Sequence, residues 1–324
     1  MEKMTIYLMG HNAKTTVHNA PEFSFTNYLR TQGWKIVDNY ENAAVVLSID
    51  SEGSLFCKPK VPSFSVNQSS ILLIQEPSVV WPNNALQNYI SAFNDVIYLG
   101  RANMGNEIIC WPIIWPSDIG TNFRMQKINR AVFIASNRLS FHEGELYSLR
   151  RMAVRKIEEL DTYGRDWDIG ISKRTARLAI EMFSALVRGS SMSFNSARDF
   201  LISPPSTKGA ILDKQSVNAR YKVSLVIENS IDYMSEKLLE ALLAGSIPVY
   251  VGPDPNAFGI PEGLVLHVEP NLQAIERAIR NALELNYDSW SESAQNWLLK
   301  PKTATSWSLT EFWRKLHLRL LGET

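Results

Sequence analysis

Cysteine is scarce in this chain of 324 residues: there are two, Cys57 and Cys110. Two thiols cannot form a disulfide framework, and no Cys/His cluster has zinc-finger spacing, so both read as buried small hydrophobes. Histidine is scarce too, five in all and with no His-x-x-x-His pair. Net charge is absent, with 33 Lys plus Arg against 33 Asp plus Glu. A broad nucleic-acid footprint needs a basic excess, so nucleic acid is not an expected partner, whereas a local basic pocket for a small anion stays open. No apolar run approaches the roughly 18 residues of a membrane span. The N-terminal run MTIYLMG (4–10) gives way to polar residues and fits a first strand better than a signal peptide. The expectation is a soluble, cytoplasmic chain. Internal repeats and low-complexity tracts are missing, and no Asp-x-Asp metal element stands where a metal-dependent GT-A transferase would need one. GRANMG (100–105) lacks dinucleotide or P-loop spacing and reads as a turn, with Arg101 a secondary cleft candidate.

What is present is an ordinary globular balance, 45% hydrophobic and 20% charged, in a chain long enough for two cores. MTIYLMG (4–10), AAVVLSI (43–49), SILLIQ (70–75) and DVIYLG (95–100) are continuous apolar runs. Such runs suit strands buried on both faces, as in a parallel sheet covered by helices. APEFSFTNYLRTQGW (20–34) supplies a first covering helix, and Pro112 and Pro116 suit a crossover between domains. A second alternation begins near 131 with AVFIAS, then a helical pattern in EGELYSLRRMAVRKIEEL and another over 172–189. Strand 223–228, helix 236–244 and strand 247–251 complete a βαβ pattern with a right-handed crossover. GLVLHV (263–268) and NLQAIERAIRNALEL add one more strand and helix. The fold class is α/β, with two Rossmann-like domains facing across a cleft. Residues 1–128 form the first domain, 129–300 the second, and 301–324 an amphipathic C-terminal helix. Ligands in such sheets bind at the carboxyl ends of the strands.

The stretch YKVSLVIENSIDYMSEKLLEALLAGSIPVYVG (221–252) carries the most chemistry. A buried strand stops on Glu228-Asn229-Ser230, at the end where ligands bind. Ser235 suits the N-cap of the next helix, Glu236 and Lys237 its first turn, and Gly245 its close. Lys237 does not follow from helix stability, because a cation in the first turn opposes the dipole. Either it answers a bound diphosphate, or it is a surface lysine paired with Glu240 or Asp232.

That stretch resembles the donor-binding signature of the α-1,3/4-fucosyltransferase family (glycosyltransferase family 10): Tyr-Lys-Phe-x-Leu-x-Phe-Glu-Asn-Ser, Asp-Tyr-Val-Thr-Glu-Lys-Leu, Ala-Gly-x-Val-Pro-Val. Met234 for Val and Ser235 for Thr are mild departures. Upstream, AVFIASNRLSFHEGELYSLRRMAVRKIEELDTYGRDW resembles the family's Ser-Asn, Arg and Asp-x-Tyr-Gly segment. Downstream, GIPEGLVLHV resembles its Pro-x-Gly-x-Phe-Ile-His-Val piece. The resemblance covers roughly residues 130 to 270, and the first 130 match only in outline.

The resemblance implies GT-B architecture and an inverting transfer of fucose from GDP-fucose to O3 or O4 of a GlcNAc or glucose unit. GDP-fucose is then a substrate, with no separate cofactor, and the acceptor is an oligosaccharide or glycolipid. It implies donor contacts from Asn229, Ser230, Tyr233, Ser235, Glu236 and Lys237, with Glu236 on the ribose hydroxyls and Lys237 on the diphosphate. It also implies an arginine against the leaving diphosphate, Arg150, with Arg151 as fallback and His142 a secondary candidate nearby. Glu228 either binds donor hydroxyls or holds Asn229 in place. A single displacement needs one base. Glu76 ends an apolar strand, is held extended by Pro77, and its Glu-Pro-Ser resembles the family's base element with one residue missing. The alternatives are a GT-B transferase using another nucleotide sugar, or a non-catalytic glycan- or nucleotide-binding relative. The C-terminal SLTEFWRKLHLRLLGET either touches an anionic membrane, peripheral to its inner face, or packs back on the protein.

Overall fold

The computed structural model describes residues 4–11, 25–54, 57–101, 109–113, 115–116, 118–188, 192, 194–202 and 207–323. Contacts divide the chain into two compact units: residues 1–112 with 306–324, and residues 113–305.

The first unit is built on β1 (Thr5–Met9), β2 (Lys35–Ile36), β3 (Val45–Ile49), β4 (Ser69–Ile74) and β5 (Asp95–Tyr98), all parallel, in the order β2-β1-β3-β4-β5. Every residue of β3 is buried, and so is all of β4 after Ser69, as their unbroken apolar runs require. One face of the sheet is closed by Phe25 and Leu29 of the helix Phe25–Thr31 together with Phe312, Trp313, Leu316 and Leu320 of the last helix, Leu309–Leu321. On the other, Leu72 and Ile74 pack with Tyr89 and Phe93.

The second unit repeats the plan. Its strands are β6 (Ile128–Ile134), β7 (Leu160–Tyr163), β8 (Tyr221–Ile227), β9 (Ile247–Val251) and β10 (Leu266–His267), again all parallel, ordered β10-β9-β8-β6-β7. Numbered within its own unit, each sheet has the order 2-1-3-4-5. The order reverses between β1 and β3 in one unit and between β6 and β8 in the other. Ligands bind outside the carboxyl ends at such reversals.

Several expectations change. The division falls at 112/113 rather than 128/129, because the helix Gly120–Arg124 is tied into the second unit. Asn122 Nδ2 donates to Leu243 O at 3.1 Å, Lys127 Nζ donates to Ala219 O at 2.7 Å, and Phe123 stacks on Trp290. The C-terminal helix is not a separate piece offered to a membrane: its apolar face is core of the first unit. Arg319 further grips Asp95, its Nε donating to Oδ2 at 3.0 Å. No described helix is long and apolar enough to cross a membrane. Cys57 is exposed and Cys110 half-buried, where both were expected inside. The expected first helix is seen as Phe25–Thr31; residues 20–24 lie outside the described residues, as do 102–105 of GRANMG.

Candidate functional site

The carboxyl end of β8 is where side chains of the second unit converge. Glu228 follows the strand and is wholly buried, 0% exposed. Such a carboxylate must be paired. Its Oε1 accepts the Ser235 N–H at 2.9 Å, while Oε2 accepts the Ser235 hydroxyl at 2.7 Å and Lys237 Nζ at 3.2 Å. Lys237 Nζ also reaches Ser235 Oγ at 2.7 Å.

This corrects three expectations. Ser235 is not the N-cap: the helix runs Lys237–Leu243 with Glu236 in the cap position and no side-chain cap bond. The Ser235 hydroxyl goes to the buried carboxylate instead, a stronger acceptor, and lies a weak 3.4 Å from the Lys237 N–H. Lys237 pairs with neither Glu240 nor Asp232 but reaches back to Glu228. Glu228 is sealed from solvent with both oxygens engaged, so it acts as an inner brace for Ser235 and Lys237.

Arg150 comes to the same strand end from the helix Tyr147–Lys156, which follows β6. Its Nε and Nη2 donate to Ile227 O at 3.1 and 2.6 Å, and Nη2 also donates to Asn229 Oδ1 at 3.0 Å. The Tyr147 ring lies under the guanidinium, 4.9 Å from centroid to Cζ. Burial pulls the Arg150 pKa down from its ordinary value, opposed by Tyr147 and Glu228. Arg151 faces elsewhere. Its Nε donates to Asp199 Oδ2 at 2.8 Å and Nη2 to Ser148 Oγ at 3.0 Å, clamping the helix Phe194–Leu201. Of the two candidate arginines, Arg150 is the one at the strand end.

The loop after β6 closes the remaining side. Leu146 N donates to Asn229 O at 3.1 Å, and Glu145 bridges Ser230 antiparallel. His142 stays in this loop, its backbone N–H on Ser140 Oγ. The turn after β7 is pinned against β6: Trp167 Nε1 donates to Ala135 O at 2.6 Å. Gly164 has φ +140°, and a Cβ there would stand 1.9 Å from that oxygen.

Solvent reaches these residues selectively. Tyr233, Ser230, Ser235 and Arg150 are buried, with Ser230 Oγ donating to Asp232 Oδ1 at 2.8 Å. Asn229 is half-buried, and the side chains of Glu236 and Lys237 are 32% and 23% exposed. Burial works to raise the Glu236 pKa, but Lys237 and Lys214 outweigh it and hold its carboxyl below the ordinary value. Glu236 is therefore an anion at neutral pH, suited to accept bonds from hydroxyls. Glu240 is pushed up by burial and by Glu236. Beside this cluster a recess is lined by Lys214, Asn218, Ser224, Lys237 and Glu240 with Ile227 and neighbouring apolar residues. The arrangement offers an accessible cation, an anionic acceptor and an amide around one strand end.

Two candidates belong to the first unit. Glu76 follows β4 and is half-buried. Its backbone is fixed by a network that sequence reasoning missed. Asp50, 0% exposed and at φ +57° after β3, accepts the N–H groups of Gln75 and Glu76 at 2.8 and 3.0 Å and Asn84 Nδ2 at 2.7 Å. Asn84 Nδ2 also donates to Glu76 O at 2.8 Å. Arg101 sits over the Tyr98 ring at 5.4 Å. A polar residue ending each of two adjacent apolar runs, as in SID and IQE, was the available signal for Asp50.

No family model matches the chain. A stretch of 56 residues is 48% identical to human Alpha-(1,3)-fucosyltransferase 4, covering 16% of this chain and 11% of the human protein. The mouse protein of that name is 44% identical over 64 residues, 18% of this chain and 15% of its own length. Across the whole chain the likeness is one of fold. A crystal structure of α1,3-fucosyltransferase with GDP superposes with TM-score 0.51 at 12% identity, covering 99% of this chain and 91% of that one. Anabaena HepE in complex with UDP and glucose gives TM-score 0.50 at 10% identity over 98% and 100% of the two chains. The two parallel-sheet units thus have the GT-B fold of glycosyltransferases of known structure.

Proposed function

We propose that this chain is an inverting glycosyltransferase that moves fucose from GDP-fucose to a hydroxyl, O3 or O4, of a GlcNAc or glucose unit in a glycan. The carrying observation is the 48% identity over 56 residues with human Alpha-(1,3)-fucosyltransferase 4, on a chain whose fold resembles that of α1,3-fucosyltransferase. The charge layout of the second unit supports it. Lys237 and Arg150 place positive charge at the β8 end for a diphosphate, and the ionised Glu236 accepts from ribose hydroxyls. Asn229 and Ser230 line the same end, while Ser235 and Glu228 hold Lys237 in place. In the reaction the acceptor oxygen attacks C1 of fucose, the bond from C1 to the β-phosphate oxygen breaks, and GDP leaves with that electron pair. Glu76 takes the proton of the attacking hydroxyl, its backbone fixed by Asp50 and Asn84. Developing charge on the diphosphate is met by Lys237 and Arg150.

The test is a transfer assay with GDP-fucose and β-galactoside, GlcNAc and glucose acceptors, with GDP-mannose as donor control. Fucosylated product is expected. Consumption of GDP-mannose with no fucose transferred would move the donor to another GDP-sugar, and GDP binding without turnover of either would make the chain a binding relative.

A further inference from the structure

Lys214 stands apart from the β8 cluster in sequence and beside it in space. It opens the short helix Lys214–Asn218, where a cation gains nothing from the helix dipole. The helix is pinned at both ends. Asp213 accepts the Ser216 N–H at 3.0 Å, Asn218 Oδ1 accepts the Ser224 hydroxyl at 3.2 Å, and Lys127 Nζ donates to Ala219 O at 2.7 Å. Held in this way, Lys214 Nζ comes 3.7 Å from Glu236 Oε1 and 3.9 Å from Glu240 Oε2. Glu236 and Glu240 stand four residues apart at the start of the helix Lys237–Leu243, a spacing that sets like charges side by side. Lys237 does not settle that repulsion, because its ammonium is engaged by Glu228 and Ser235. The two lysines divide the work: Lys237 answers the buried carboxylate, and Lys214 answers the two that solvent reaches.

On the reading of Glu236 as the ribose acceptor, on which this depends, we infer that Lys214 is a positioning residue for the nucleoside end of the donor, holding the Glu236 carboxylate clear of Glu240 and Lys237 so that it meets the ribose hydroxyls. With Lys214 present, three carboxylates share two ammonium groups; without it they share one. Lys237, whose field acts on both Glu236 and Glu240, would then be drawn from Glu228 towards them. Glu236 would meet a hydroxyl with its charge already answered by Lys237, and the diphosphate would lose its cation. A lysine meant for the phosphates themselves would not be held between two carboxylates. The Lys214 side chain is 50% exposed, so solvent screens its hold and the effect is modest.

Calorimetry with GDP and with 2′,3′-dideoxy-GDP reads the ribose contact directly, because the second nucleotide lacks both hydroxyls. The wild type is expected to prefer GDP at least about tenfold, as bonds to a charged acceptor give. Lys214→Met keeps the stem and removes the charge, and should shrink that preference about threefold, while Lys214→Arg retains it. The loss should deepen as pH falls from about 7 to about 5, since Glu236 without Lys214 takes up its proton at a higher pH than in the wild type. Adding Glu240→Gln to Lys214→Met should restore most of the preference, because the repelling carboxylate is gone. A preference that Lys214→Met leaves intact overturns the proposal alone, whether both nucleotides weaken equally, as for a lysine on the phosphates, or neither does. A wild type that binds the two nucleotides equally, or binds neither, overturns the ribose reading of Glu236 and the proposal with it.

Discussion

Replacing Lys237 by Met separates a paired site from a decorative one. The ammonium stands 3.2 Å from Glu228, whose side chain is 0% exposed, while Lys237 itself keeps 23% of its surface in solvent. Without Lys237 the carboxylate keeps two bonds, from the Ser235 N–H and hydroxyl. Removing one member of a buried ion pair costs about 3–5 kcal/mol, and the Ser235 bonds place this case near the lower end, at about 3 kcal/mol. Glu228→Gln is milder. Its carbonyl still accepts the Ser235 N–H and the stranded ammonium can reach water, so about 1–2 kcal/mol is expected. The double variant buries no charge at all and should be less destabilised than Lys237→Met alone, which gives a coupling of about 2 kcal/mol. Two units need not unfold together, so the proper assay is native-state hydrogen exchange read on peptides from 221–252. Strict additivity of the two substitutions would refute the reasoning, because it would mean that Lys237 and Glu228 stabilise this end independently.

In transfer assays Glu76→Gln is expected to lower turnover at least a hundredfold while leaving GDP affinity, measured by calorimetry, within about twofold, whereas Lys237→Ala weakens GDP; equal loss of affinity in both would remove Glu76 from the base role. Gly164→Ala forces a Cβ to within 1.9 Å of Ala135 O at φ +140°, so it should cost more than about 3 kcal/mol and reduce soluble yield; a wild-type melting temperature would contradict this. Burial lowers the His317 pKa, and its Nε2 accepts the Trp34 indole N–H at 2.9 Å, a bond available only to the unprotonated ring. The unfolded chain therefore takes up the proton first, so this contribution is complete above about pH 6.5 and is lost as pH falls through the lower folded value. Melts at pH 5 to 8 should show a steeper acid loss in the wild type than in His317→Phe.

Strands were the legible part. Val45–Ile49, Ile247–Val251 and all of Ser69–Ile74 but its exposed first residue fall inside runs that are apolar without alternation, and burial on both faces leaves sequence little choice there. The two-residue strand Lys35–Ile36 was too short to leave a signal. At the candidate site, polarity breaks marked Glu76 and Glu228-Asn229-Ser230, but partners did not follow from spacing. Nothing in the nine-residue separation of Glu228 and Lys237 announces an ion pair, since the loop between them has no fixed period. Ser235 looked like a cap because caps are local, and a buried carboxylate seven residues earlier outbid the helix for its hydroxyl. Amphipathic period located the helix Ile171–Arg188 yet could not say which side faces inward; Arg174, donating to three backbone carbonyls, decides that.

The first unit is completed by the last helix, Leu309–Leu321, and this orders events during synthesis. Residues 113–305 emerge as a continuous segment and have every strand of their sheet before the ribosome reaches Leu309. The sheet of residues 5–98 must wait, with Phe25, Leu29 and Trp34 lacking the Phe312, Trp313 and Leu316 that cover them. At about 5–20 residues per second that wait lasts on the order of ten seconds or more. The half of the chain made first is the half that finishes last, so nascent-chain protection by chaperones should concentrate on the early strands rather than the later ones.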